Sequence, residues 1–76
     1  MSLANLIFKG FNMDIYNCGG GVCFILEITP EAVLIKKDTE YVTGAFPRIE
    51  GDFLDWYHGH YFNEIDQAVN DFNLRK

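Results

Sequence analysis

Three consecutive glycines, Gly19 to Gly21, interrupt an alternating apolar pattern in the stretch Phe11 to Ile28, FNMDIYNCGGGVCFILEI. Successive strand side chains point to opposite faces, and glycine adopts positive φ without a Cβ clash, so this stretch predicts a β-hairpin. With Gly20 and Gly21 as the turn residues, Cys18 pairs with Cys23, Tyr16 with Ile25 and Asp14 with Glu27. One face then carries Met13, Ile15, Phe24, Leu26 and Ile28 and is the expected core. The other carries Asp14, Tyr16, Ile25 and Glu27 and is the expected exposed face. Like charges in directly opposed positions repel, so placing Asp14 across from Glu27 costs stability. An exposed, slightly unfavourable arrangement beside a tyrosine and an isoleucine reads as a contact surface for a partner.

The 76 residues make one small domain, residues 1–76, because chains divide only at several times this length. Hydrophobic residues make up 49%, enough for a single core and too many for a disordered chain. Eleven acidic residues against six basic ones give a formal charge of −5, which argues against binding a phosphate backbone directly. A basic protein partner, or a surface that normally holds nucleic acid, fits that charge better. No run approaches the roughly 20 apolar residues needed to span a bilayer. The opening Met1-Ser2-Leu3-Ala4-Asn5-Leu6-Ile7 lacks the basic region and cleavage site of a secretory signal, so a cytoplasmic location and no membrane contact are expected.

Residues 1–10 read as a strand continuing into the hairpin, with a frayed helix as the alternative. Beyond Ile28, Thr29-Pro30-Glu31-Ala32 is compatible with a helix start, but Val33-Leu34-Ile35 reads better as a strand. That strand enters a turn at Lys36-Lys37-Asp38-Thr39 and returns as Tyr41 to Phe46. Pro47 is expected to end the sheet, since it cannot donate to a ladder. Ile49, Phe53, Trp56 and Tyr57 then fall at helical spacing, with Gly59 as the stop. A second helix follows: Asn63 as the cap, Glu64 and Asp66 in the first turn, and Ile65, Ala68, Val69 and Phe72 as its buried stripe. Strands first and helices last predict an α+β fold. Three or four antiparallel strands form the sheet, and two C-terminal helices pack on one face.

Catalysis is hard to assemble from these residues. Cys18 and Cys23 lie in a hairpin, far along the chain from His58 and His60, and no nucleophile context surrounds them. Cys-x4-Cys with a distant His-x-His is not a usual zinc spacing, so no metal and no cofactor are expected, and the two cysteines are expected to stay reduced. The glycine run lacks the lysine and helix start of a phosphate-binding loop. Trp56-Tyr57-His58-Gly59-His60-Tyr61-Phe62 reads chiefly as aromatics packing on the sheet, and the acids Glu50, Asp52, Asp55, Glu64, Asp66 and Asp71 as a solvated helical face.

These segments resemble a small type I-F anti-CRISPR family from phages. The resemblance rests on Tyr16-Asn17-Cys18-Gly19 followed by Glu27, on Trp56-Tyr57-His58-Gly59, and on Ile65-Asp66-Gln67-Ala68-Val69-Asn70, in that order over roughly residues 11 to 76. It implies an antiparallel sheet with two C-terminal helices. It also implies a non-enzymatic inhibitor in the bacterial host cytoplasm; the chain is expected to be a monomer. Such an inhibitor binds the backbone subunit of the Csy surveillance complex and hinders target DNA from pairing with the guide. By carry-over, Tyr16 and Glu27 contact that subunit, within an expected partner-binding set of Asp14, Tyr16, Ile25 and Glu27. The alternative from another class is a small nucleic-acid-associated or antitoxin-like regulatory binding module.

Overall fold

The computed structural model describes residues 15–76, so Asp14, Phe11, Met13 and the strand expected over residues 1–10 lie outside the described residues. Five strands follow one another: β1 (Ile15–Cys18), β2 (Gly21–Ile28), β3 (Ala32–Lys37), β4 (Glu40–Glu50) and β5 (Phe53–Phe62). One helix, α1 (Ile65–Arg75), follows them. Neighbours in this meander are antiparallel, and β1 and β5 close it into a barrel. With an odd number of alternating strands the first and last run the same way, so the closing seam is parallel, with Asn17 opposite Phe53. Asn17 strengthens that seam: its backbone N–H donates to the Asp52 carbonyl at 2.8 Å and its side-chain Nδ2 to the Asp52 carboxylate at 3.1 Å.

The expected open sheet under two helices is therefore not what forms. The segment assigned to the first helix is the end of β4, a turn at Gly51-Asp52 and β5 as far as Gly59. The Ile49, Phe53, Trp56, Tyr57 spacing suits a helical stripe. The same stretch is also rich in aromatic residues and alternates, with Leu54 buried and Asp55 exposed, and pairing with β4 selects the strand. Gly51, at φ 61°, makes the tight turn between the two long strands.

Pro47 does not end the sheet; it sits inside β4 at a bulge. Between the pairs Ala45–Tyr57 and Arg48–Asp55, β4 has two residues, Phe46 and Pro47, where β5 has only Trp56. A second bulge lies on β5, where His58 and Gly59 stand against Gly44. The absent proline N–H is tolerated at such an irregularity. Phe46 and His58 both take left-handed backbone, at φ 49° and 52°, which costs a non-glycine residue about 1–3 kcal/mol. Two tertiary hydrogen bonds hold them there: Phe46 N–H donates to the Glu31 carbonyl at 3.0 Å, and the His58 carbonyl accepts from Arg75 Nη2 at 2.6 Å. Bulges bend strands and increase their twist, and these two lie along the hairpin whose far end meets β1.

Two clusters divide the buried residues by side of the sheet. Inside the barrel lie Cys18, Cys23, Ile25, Val33, Ile35, Val42 and Leu54, with Tyr16 and Trp56 packed against them. Outside, under α1, lie Ala32, Leu34, Ala68 and Phe72, flanked by Tyr41, Phe62 and Val69. β3 supplies both, Val33 and Ile35 inward and Ala32 and Leu34 outward, which explains its unbroken apolar run. Thr29 turns the chain into β3 as its hydroxyl accepts from the N–H groups of Glu31 at 3.2 Å and Ala32 at 3.1 Å; no helix starts here.

The hairpin core is on the opposite side from that expected. Ile15, Phe24, Leu26 and Ile28 are exposed, as are Phe53 and Ile65, while Cys18, Cys23 and Ile25 are buried. The turn is Gly19-Gly20, with Gly20 at φ 94°, so Cys18 pairs with Gly21 and Tyr16 with Cys23. This slip of two residues keeps the division into faces as far as Ile25, beyond which a bulge at Leu26 breaks it. What differs is which face the closed barrel encloses. Helix α1 begins after Glu64 and not at Asn63, and no side chain caps it.

Candidate functional site

The four residues expected to bind a partner do not form one exposed patch. Tyr16 is half-buried against the interior cluster and Ile25 lies within it, so both point into the barrel. Glu27 is exposed, because a bulge at Leu26 separates the pairs Ile25–Ile35 and Glu27–Leu34. Paired residues share a side, so Glu27 goes with outward Leu34 while Ile25 goes with inward Ile35. Asp14 is outside the described residues.

In their place the outer surface of β1 and β2 presents Ile15, Val22, Phe24 and Leu26, each between 44% and 51% exposed. Single exposed apolar residues are ordinary, but adjacent ones along two paired strands are characteristic of interaction surfaces. Ile15 and Phe24 are directly paired. The helix packs on β3, β4 and β5 and so leaves this face to solvent among the described residues.

At the barrel end beside this face two clefts meet at Lys37. The larger, about 510 Å³, lies between the turn of β1–β2 and that of β3–β4 and is lined by Gly20, Gly21, Val22, Phe24, Lys36 and Asp38 as well as Lys37. The smaller, about 260 Å³, opens at the barrel mouth among Cys18, Asp55, Trp56 and Tyr61. The stem of Lys37 crosses Gly21, where even a Cβ would come within 3.5 Å of Cε. Lys36 is anchored: its ammonium donates to the Asp38 carbonyl at 2.7 Å and lies 5.3 Å from the centre of the Tyr41 ring. Lys37 has no hydrogen-bond or ion-pair partner among the described residues. Trp56 is seated by two glycines: a Cβ on Gly44 would overlap its side chain, and one on Gly59 would lie 2.8 Å from its Nε1.

The most connected polar cluster lies where α1 meets the sheet. Asp71 Oδ2 accepts a hydrogen bond from the fully buried hydroxyl of Thr43 and another from Arg75 Nε at 3.0 Å, and His60 Nδ1 lies 3.0 Å away. Burial raises the carboxyl pKa, but hydrogen bonds from Thr43, His60 and Arg75 outweigh it and bring Asp71 down to about 2. Arg75 Nη2 is 2.8 Å from the same His60 nitrogen. Arginine only donates, so neutral His60 accepts from Arg75 there, whereas protonated His60 donates to Asp71. Thr43, His60 and Asp71 are residue types found in nucleophilic sites, but the hydroxyl here bonds to the carboxylate and not to the imidazole. Among the described residues its only acceptor is a carboxylate held at about 2, a weak base, and the buried hydroxyl has no access for a substrate. The cluster pins the helix to the barrel.

The cysteines lie inside the barrel, whereas His60 lies outside it against the helix. Cys18 and Cys23 are free buried thiols, and burial together with a hydrogen bond to Cys18 pushes Cys23 up to about 12, far from the thiolate a nucleophile requires. Among the described residues no three His, Cys, Asp or Glu side chains gather as metal ligands. No described helix is long and apolar enough to cross a membrane. Compared with protein-family models, curated proteins and solved structures, the chain gives no match in any of the three.

Proposed function

We propose that this protein acts by binding a protein partner, not by catalysis, and that the outer face of β1–β2 is the contact surface. The observation that carries this reading is the adjacent exposure of Ile15, Val22, Phe24 and Leu26 on a barrel that has a helix over its other apolar face. The sequence resemblance supplies the first partner to try, the backbone subunit of the type I-F surveillance complex. Exposed Glu27 beside Leu26 is the family contact residue that such binding would use. Support for that partner is the resemblance alone, since the two-helix fold it implied is replaced here by a barrel. The test passes wild-type protein and Leu26→Glu over immobilised type I-F complex and, separately, over a host lysate. Retention of one protein species by wild type and its loss on Leu26→Glu, at unchanged melting temperature, is the expected result. Absence of any retained protein, or equal retention by both, overturns the reading; retention from lysate without retention of the complex replaces the partner.

A further inference from the structure

We infer that the larger cleft is a subsite for a carboxylate carried next to an apolar side chain, so that the partner's contacting segment is an acidic–apolar peptide. This rests on the protein-binding reading and adds the chemistry of what is bound. Among the described residues bases are few: Arg75 is bonded to Asp71 and to the His58 carbonyl, Lys76 lies 5.6 Å from the centre of the Phe72 ring, Lys36 is held by the Asp38 carbonyl, and Arg48 lines a separate, smaller cleft with the acids Glu50 and Asp55. Lys37 alone lines both clefts and has no partner among the described residues, and its stem passes close to Gly21. An unpartnered ammonium in a cleft is available for a charge-assisted hydrogen bond to an incoming anion.

Beside it a Cβ on Gly19 or Gly20 would meet nothing within 4 Å, so the turn backbone is open to close approach by a ligand. Val22 and Phe24, on the next residues of β2, give the same cleft an apolar wall continuous with the proposed contact face. The ligand chemistry follows from those two walls: a negative oxygen at Lys37, and an aliphatic or aromatic group on Phe24. A nucleic-acid backbone does not fit, because it needs a row of cations and the site has a single unpartnered lysine. Asp38 lies on the cleft rim and opposes an anion, which gives the proposal a second, opposite-signed handle.

The probe is N-acetyl-L-phenylalanine, with its amide as the uncharged comparison, titrated into isotope-labelled protein and followed by the backbone amide resonances. The acid is expected to shift Gly20, Gly21, Phe24 and Lys37 and to bind about tenfold more tightly than the amide, as one charge-assisted hydrogen bond implies. Lys37→Met keeps the stem and should abolish the difference, Lys37→Arg should retain it, and Asp38→Asn should tighten binding of the acid. Equal binding of acid and amide, shifts scattered away from the cleft, or a thymidine oligonucleotide outcompeting the acid overturns the subsite. Acid binding at the cleft with no partner retained in the capture experiment leaves the subsite standing and removes the protein-binding reading. Partner retention without acid binding does the reverse.

Discussion

The two outer faces of this barrel are built from similar residues and meet opposite fates. On β3, Ala32 and Leu34 point outward and are 0% and 4% exposed; on β2, Phe24 and Leu26 point outward and are 51% and 46% exposed. The difference lies in α1, whose Ala68 and Phe72 cover the first face and do not reach the second. Apolar character thus marks a surface that must be covered by something, and the helix's anchorage decides which surface is covered within the chain. Asp71 supplies that anchorage, joining α1 to Thr43 on β4 and to His60 on β5.

The comparison is broken most directly at Phe72. Phe72→Ala removes the largest buried side chain beneath the helix and should cost about 3 to 5 kcal/mol in chemical denaturation. A loss near zero would mean that the helix does not define the covered face. Gly44→Ala should follow at about 3 kcal/mol, because the added methyl overlaps the Trp56 side chain between paired strands that cannot readily separate. Its melting temperature, set against that of Gly19→Ala where space is open, reads the effect directly.

Removing the helix anchor is the next step down. Asp71 titrates near 2 when folded against an ordinary 3.8, so its ionised form favours the folded state. Its contribution, about 2 kcal/mol, is full above about pH 4 and is lost as pH falls through about 2. Asp71→Asn should therefore be less stable than wild type at pH 6, and the gap should close between pH 4 and pH 2 in urea titrations. A gap independent of pH would assign the effect to packing. The smallest stability effect is expected on the open face: Leu26→Glu should change unfolding by no more than about 0.5 kcal/mol while abolishing partner retention. A loss of several kcal/mol would show that this face is covered within the protein after all.

Several features were legible in advance because each depends on neighbouring residues. The glycine run turns between β1 and β2, Asp38-Thr39 turns between β3 and β4, and Ala68 and Phe72 face inward on the last helix. The segment from Ile49 to Gly59 is ambiguous in sequence because its apolar spacing fits both a helix and a bent strand, and only the presence of β4 as a partner separates them. Within the candidate site, Glu27 was legible as an exposed residue. Tyr16 and Ile25 were not legible as interior residues, since alternation gives two faces without saying which is enclosed. For Lys37 the sequence offers one signal, the pair Lys36-Lys37 ahead of a turn in an acidic chain, and only the fold sets it between two clefts.

Sequence by itself determined the turns after β1 and β3, the strand-forming runs up to Phe46, the last helix and the acidic charge, because these follow from backbone permissiveness and side-chain chemistry at fixed spacing. Tertiary structure alone decided the closure of the barrel, the side that became its interior, and the left-handed backbone at Phe46 and His58. Those depend on pairing Asn17 with Phe53 across the chain and on hydrogen bonds from Arg75 and to Glu31. The free energy of such contacts exists only once distant segments have met, and local pattern carries no record of it.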